Sequence, residues 1–159
     1  MPSIAPITAT WSVFFTIYYI ILFAHIGLAR TSTSILLGDG SVEIVVAQAN
    51  GKNEDEIERL RKDHMKVQGA MRAHGNFQEY VPLSFILILL CELSDVPSQA
   101  IHAFLAVLLI SRIAHAHFGL LKSPGISVGR EVGVVGTMIV MVVAGVWAAV
   151  NGIKELQAR

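Results

Sequence analysis

The chain has 159 residues, a length typical of one domain, and 53% of them are hydrophobic, with a mean hydropathy of +0.60. This composition excludes an ordinary soluble protein and indicates an integral membrane protein. The formal net charge is zero, and no basic run alternates with aromatic residues, so nothing suggests a nucleic-acid partner. The single cysteine, Cys91, excludes an internal disulfide and a multi-cysteine metal site.

The first apolar segment covers about residues 11–30, from Trp11 to an arginine at Arg30. Trp11 stands where an interfacial aromatic residue is common. No basic stretch precedes this segment and no small-residue cleavage site follows it, so we expect it to be retained as a span. His25 is interpreted as a packed or interfacial side chain.

Residues 31–69 form a connector with two different parts. Turn signals at Gly38-Asp39-Gly40 and Asn50-Gly51 bracket Val42–Val46, which predicts a loop with some strand character. From Glu54 to Lys66, acidic residues precede basic ones, an order that matches the helix dipole. This part predicts a solvent-exposed helix that continues without a break into the second span.

The second span contains the stretch MRAHGNFQEYVP, residues 71–82. The apolar run that follows is too short to cross a bilayer alone, since a spanning helix needs about 20 residues. The span, at about residues 70–92, must therefore include Arg72, Asn76 and Glu79, which lie on one face of a helix. Ionisable groups at such a depth usually mark a functional site, whereas a polar helix end that snorkels to the headgroups is the alternative.

Two further spans are predicted at about residues 98–121 and 127–150, separated by a tight turn at residues 122–125. The third span carries Arg112, His115 and His117 in its last third, and the fourth carries Arg130 in its first turns. A stripe of small residues at Gly129, Gly133 and Gly136 suits close helix contact. The sequence thus predicts an all-α integral membrane protein, a four-helix transmembrane bundle.

Lysine and arginine residues flank the spans unevenly, being concentrated in the first connector and at Lys122 in the third. The positive-inside rule therefore predicts that both connectors are cytoplasmic and both termini are not, although Lys154 and Arg159 argue weakly against this orientation. The topology brings side chains from all four helices to one side of the membrane: Arg30, Arg72, Glu79, Arg112, His115, Lys122 and Arg130.

This set of side chains suits a ligand with several carboxylates and an amine. Guanidinium groups pair bidentately with carboxylates, and Glu79 can receive an ammonium. A nearby cation also stabilises a thiolate. A metal site is less favoured, because His115 and His117 are two residues apart on a helix and face different directions.

Residues 72–82, RAHGNFQEYVP, resemble the second-helix signature of the MAPEG family, the membrane-associated proteins in eicosanoid and glutathione metabolism. The sequence of this stretch is most similar to the bacterial branch, and the four-span layout extends the resemblance over nearly all of residues 1–159. The resemblance implies a single membrane domain in a bacterial inner membrane. It also implies a homotrimer, which we expect the glycine stripe of the fourth span to help close.

The family resemblance implies that glutathione is the co-substrate, bound between neighbouring subunits near the cytoplasmic side. Its thiol would meet a lipophilic electrophile or peroxide. The glutathione contacts carried over by position are Arg72, Asn76, Glu79, Tyr80, Arg112 and His115. Arg30 matches an arginine that closes the first helix, and Arg130 is the nearest candidate for the thiolate-stabilising arginine.

Two departures from the family pattern concern the chemistry. Synthases of the family place a tyrosine seven residues after the arginine of the third helix, where this chain has Gly119. The family's thiolate-stabilising arginine falls where this chain has Ile126 and Val128, so that Arg130 lies one turn further along. These departures make glutathione binding better supported than catalysis.

Three functions are compatible with the sequence. The first is a glutathione transferase or glutathione-dependent peroxidase, and the second is a non-catalytic lipid- or glutathione-binding protein of the same fold. The third is a small transporter or channel, which would need polar residues through the outer half of the spans. Residues 85–91 supply no charged or amide side chain for such a pathway.

Overall fold

The computed structural model describes residues 4–33, 35–122 and 127–158. Its helices follow the order α1 (Pro6–Thr33), α2 (Ser41–Ala49), α3 (Glu54–Leu93), α4 (Ser98–His115), a π-helical turn (Ala116–Leu120) and α5 (Val128–Gln157). Four of these units are long and apolar enough to cross a membrane: α1, α3, α4 with the π-helical turn, and α5. The predicted all-α membrane bundle is therefore confirmed.

Helix α3 joins the charged extension and the second span in one continuous helix, as predicted. The Asn53 side chain accepts a hydrogen bond from the Glu56 backbone N–H at 2.8 Å and caps the first turn. Acidic residues follow in that turn, where they complement the positive end of the helix dipole. The helix passes through Pro82 without ending, which a membrane helix tolerates when its neighbours support it.

The predicted strand character of Val42–Val46 is wrong, because these residues lie in α2. Gly40 precedes α2 with a φ of 88°, a left-handed conformation that glycine adopts without steric strain. Branched side chains favour strands only where a neighbouring strand can pair with them, whereas here α2 packs against α3. Tertiary packing has overridden the local preference.

The glycine stripe of α5 packs against α4 and the π-helical turn of the same chain. A Cβ atom added at Gly133 would overlap His115, and one added at Gly136 would overlap Ser111. Small residues let two membrane helices approach closely, so the prediction of close helix contact holds. Since α4 of the same chain already packs on this stripe, its part in closing a trimer stays a prediction.

Helices α1 and α3 run antiparallel and are tied together at the end of the bundle remote from α2. The Glu92 carboxylate accepts hydrogen bonds from the backbone N–H groups of Ile7 and Thr8, both at 2.8 Å, and from the Thr8 hydroxyl at 2.6 Å. A carboxylate suits the first turn of a helix, whose N–H groups lack intrahelical partners. The opposite end carries the connector and the polar motif of α3.

The predicted turn at residues 122–125 lies largely outside the described residues, as do Ile126 and Arg159. The predicted spans are otherwise helical, with bounds that differ by several residues. The largest extension is at the end of α5, which continues to Gln157 rather than ending at Val150.

Candidate functional site

Three polar residues of the α3 motif, Arg72, Asn76 and Glu79, line one groove with a volume of about 350 Å³. We name it the α3 groove; it is lined by Asp39, Gln68, Met71, Arg72, Gly75, Asn76 and Glu79. The Asn76 side-chain amide donates to the Arg72 carbonyl oxygen at 2.9 Å, which orients the amide along the helix. The Arg72 and Glu79 side chains are exposed in the single chain. The groove thus presents a guanidinium and a carboxylate to any molecule that enters it.

Asp39 brings a second carboxylate to the α3 groove from the connector. The Ser41 hydroxyl and backbone N–H stabilise the charged form and hold the pKa of the Asp39 carboxyl below its ordinary value. His64 of α3 donates from Nδ1 to the Asp39 carbonyl oxygen at 2.8 Å and keeps the connector against the helix. Asp39 is therefore ionised at neutral pH, beside Arg72 and Glu79.

Arg30, at the end of α1, closes the connector onto the bundle. Its guanidinium donates to the carbonyl oxygens of Ile35 and Leu36 at 3.2 and 3.1 Å. The other terminal nitrogen lies 3.6 Å from the sulfur of Met71, which lines the α3 groove. Arg30 therefore lies at the edge of the groove, with part of its donor capacity already used by the backbone.

Arg112 of α4 is buried inside the bundle and only 3% exposed. Its Nη2 donates to the Gly133 carbonyl oxygen at 2.7 Å, and its Cζ lies 5.3 Å from the ring centroid of Tyr80. The Nε and Nη1 atoms are buried and have no hydrogen-bond partner among the described residues. No carboxylate of those residues pairs with this guanidinium, although buried charges in proteins are usually paired.

His115 and Arg130 meet through the Arg130 backbone rather than its side chain. His115 donates from Nδ1 to the Arg130 carbonyl oxygen at 3.1 Å, and its buried Nε2 has no partner among the described residues. The Arg130 guanidinium makes no hydrogen bond or ion pair with a described residue and is partly exposed. No described residue therefore neutralises the Arg130 charge at the start of α5.

The close packing of Gly119 against α5 is consistent with one departure from the family pattern, the absence of a tyrosine at this position. The π-helical turn brings it so close to α5 that an added Cβ atom would lie 3.1 Å from the Cα and Cβ atoms of Arg130. A side chain at this position therefore requires the start of α5 to shift by a few tenths of an ångström. The two positions at which the chain departs from the family pattern, Gly119 and Arg130, are thus in contact with each other.

The predicted site residues form two groups in the single chain. Arg72, Asn76 and Glu79 lie in the α3 groove with Arg30 at its edge, whereas a second group lies between α3, α4 and α5 and comprises Tyr80, Arg112, His115 and Arg130. No side-chain hydrogen bond or ion pair between described residues joins the groups. The two groups are nevertheless neighbours along α3, because Glu79 of the first group and Tyr80 of the second are consecutive residues.

Lys122, which the sequence also placed on this side of the membrane, belongs to neither group. It lines a cavity of about 590 Å³ between the end of α1, the first half of α3 and the π-helical turn. We name this space the α1–α3 cavity. Sequence reasoning missed it, since its polar residues are spread over distant segments as His25, Ser32, Lys66, His117 and Lys122.

Metal binding has no support in the described part of the chain. Among those residues, no three histidine, cysteine, aspartate or glutamate side chains are grouped closely enough to hold a metal ion. The donors at both cavities instead suit an organic anion or a zwitterion.

The fold and the two polar groups define an α-helical multi-pass membrane protein with arginine and carboxylate side chains at one end of its bundle. The MAPEG family model matches residues 8–150, and the chain belongs to this family. The resemblance carried by residues 72–82 is therefore confirmed. Membership relates the protein to glutathione and eicosanoid metabolism.

The chain is also similar to the inner membrane protein YecN of Escherichia coli K12, with 36% identity over 50 residues. The protein of the same name from E. coli O6:H1 matches equally well. The matched stretch is 31% of this chain and spans 38% of the length of these relatives. No solved structure matches the chain.

Proposed function

We propose that this protein is a membrane enzyme that binds glutathione and activates its thiol against lipophilic electrophiles or peroxides. Membership of the MAPEG family supports this class of co-substrate. The observation that carries the proposal is the α3 groove, where Arg72 stands beside two carboxylates, Asp39 and Glu79. Glutathione carries two carboxylates and one ammonium. Arg72 can pair with one of these carboxylates and a groove carboxylate with the ammonium, whereas the second glutathione carboxylate needs a cation from outside the groove.

Each site residue then has a defined role. Arg72 and Arg112 pair with the glutathione carboxylates, and Glu79, assisted by Asp39, receives the ammonium. Hydrogen bonds come from Asn76, Tyr80 and His115. Arg130, with Arg30, stabilises the thiolate.

The chemistry follows from the thiolate. In conjugation, the sulfur forms a C–S bond, the leaving group departs as an anion, and the thiol proton passes to solvent. In peroxide reduction, two glutathione thiols are oxidised to one disulfide while the hydroperoxide is reduced to an alcohol and water. The lipophilic partner reaches the sulfur from the bilayer.

The assembly belongs to the same proposal: a homotrimer in a bacterial inner membrane, with glutathione between neighbouring subunits. The exposed Arg72 and Glu79 and the unpaired Arg112 support a site that a second subunit completes. The distribution of lysine and arginine supports a cytoplasmic position for the connector with α2, with both termini on the other side.

A native mass measurement in mild detergent tests the assembly. We expect the mass of three chains at working concentration. A mass of one chain under conditions that preserve glutathione binding would contradict both the trimer and a site shared between subunits.

A second candidate is a non-catalytic lipid- or glutathione-binding protein of the same fold. It is favoured by Gly119, which stands where synthases of the family carry a tyrosine and packs tightly against Arg130. Turnover of an aryl halide with glutathione separates the two functions. Glutathione binding without turnover would support the non-catalytic protein.

The Glu79→Gln variant is expected to bind glutathione about tenfold to a hundredfold more weakly, because a hydrogen bond to a charged group contributes about 1.5–3 kcal/mol. Calorimetry in detergent measures the affinity, and a thermal unfolding curve checks that the fold is intact. Glu54→Gln, in the exposed first turn of α3, is the matched control. An unchanged affinity in Glu79→Gln would remove this residue from the site.

A further inference from the structure

The α1–α3 cavity is separate from the α3 groove, and no residue lines both. Ala70 lines the cavity and Arg72 lines the groove; two residues on a helix are about 200° apart in direction. The cavity therefore lies on the other side of α3, and glutathione in the groove would not fill it.

The mouth of the cavity is positively charged. Lys66 and Lys122 line it, and no aspartate or glutamate does. The Lys66 ammonium donates to the Ser32 hydroxyl at 2.8 Å, which holds it beside the end of α1. Neither lysine forms an ion pair with a described residue, so both charges are free to bind an anion.

The rest of the lining is mainly apolar and open to the side. Leu28, which lies one turn deeper on α1 than Ser32, is 67% exposed, and Met65 is 38% exposed. Leu120 and Leu121 continue the apolar wall. Because α1 is long and apolar enough to span a membrane, we expect this opening to face acyl chains and the two lysines to lie at the depth of the headgroups.

Two imidazoles form a polar patch inside the cavity. His25 donates from Nδ1 to the Ile21 carbonyl oxygen at 2.8 Å, and the ring centroids of His25 and His117 are 5.4 Å apart. The π-helical turn carries His117 to this position, and such turns are frequent at functional sites. Imidazoles exchange hydrogen bonds with ester and hydroxyl oxygens.

We propose that the α1–α3 cavity binds one anionic phospholipid from the bilayer, with its phosphate between Lys66 and Lys122. The apolar wall at Leu28 and Leu121 accommodates the start of an acyl chain, and the imidazoles of His25 and His117 contact the glycerol and ester oxygens. A lysine ammonium is a compact charge that suits phosphate, and basic pockets between membrane helices bind anionic headgroups. The bound lipid would hold α1, α3 and the π-helical turn together. This site does not depend on glutathione binding.

Native mass spectrometry of the detergent-solubilised protein, titrated with phosphatidylglycerol, tests the proposal. We expect one lipid per chain to bind saturably, and phosphatidylcholine with the same acyl chains to bind more weakly. The double variant Lys66→Gln/Lys122→Gln should weaken phosphatidylglycerol binding by about thirtyfold, since each cation near an anionic lipid contributes about 1 kcal/mol. Lys52→Gln/Lys62→Gln, which removes one exposed lysine just before α3 and one in its first turns, should leave binding unchanged.

Three other outcomes would overturn the proposal. Lipid adducts that never saturate, or that the two lysine pairs affect equally, would indicate general attraction to the surface. Inorganic phosphate that displaces the lipid at low concentration would make the cavity a site for a free anion. Displacement by glutathione, with the same dependence on Lys66 and Lys122, would make the cavity part of the glutathione site.

Discussion

Arg112→Met is expected to stabilise the unliganded protein and to remove most of its affinity for glutathione. The Arg112 guanidinium is buried. Among the described residues, two of its nitrogens have no hydrogen-bond partner and no carboxylate forms an ion pair with it. Replacing a poorly compensated buried charge by an apolar residue of similar volume often raises the free energy of unfolding by about 1–4 kcal/mol. Losing one member of a buried charge pair in the complex costs about 2–5 kcal/mol of binding.

Thermal unfolding without ligand and calorimetry with glutathione measure the two effects. Arg61→Met, on the exposed part of α3, is the control and should change neither quantity. Arg112→Lys keeps the charge without the planar fork, so it should weaken binding without stabilising the protein. A less stable Arg112→Met variant with unchanged affinity would show that the contacts with Gly133 and Tyr80 are purely structural.

The opposite signs of these two effects are what a preorganised binding residue produces. Arg112 keeps one bond to Gly133 and one ring contact with Tyr80, which fix its direction before a ligand arrives. The Nε and Nη1 groups of Arg112 keep no partner among the described residues, which lowers the free energy of unfolding of the unliganded protein. Natural proteins depart from complete polar pairing mainly where function requires it.

Much of the architecture could be predicted from the sequence, because hydrophobic length and charge act locally. The four spans follow from apolar runs, and the continuity of α3 follows from the order of acids and bases after Asn53. The helical part of the α3 groove can also be predicted, because the spacing of Arg72, Asn76 and Glu79 places their side chains on one face of a helix.

The remaining features depend on contacts between distant segments, which spacing along one helix does not determine. The sequence pattern indicates only that Asp39 lies in a turn, whereas the folded connector places it in the same groove as Arg72. The partner of the glycine stripe depends on how α5 meets α4. The α1–α3 cavity needs the π-helical turn, whose extra residue per turn redirects His117 and has no signal in apolar periodicity.

Arg130 lies where a helix terminus and a side chain can act on the same anion. Its backbone N–H donates to the Ser127 carbonyl oxygen at 2.9 Å in the first turn of α5. The positive end of the helix dipole adds to the guanidinium charge there, so a thiolate nearby would be stabilised twice. The alternative is that Arg130 extends to phosphate headgroups at the membrane surface.

The Arg130→Leu variant is expected to keep nearly the same glutathione affinity while losing activation of the thiol. Removing a cation disfavours the thiolate, so the pKa of the bound thiol should rise toward its ordinary value of about 8.5. Each unit of that rise lowers the thiolate fraction near neutral pH by up to about tenfold, and turnover should fall with it. Thiolate absorbance across a pH series measures the shift, with Arg130→Lys as the charge-retaining control. A variant that keeps the wild-type absorbance and rate would transfer the activating role to Arg30 or favour the non-catalytic protein.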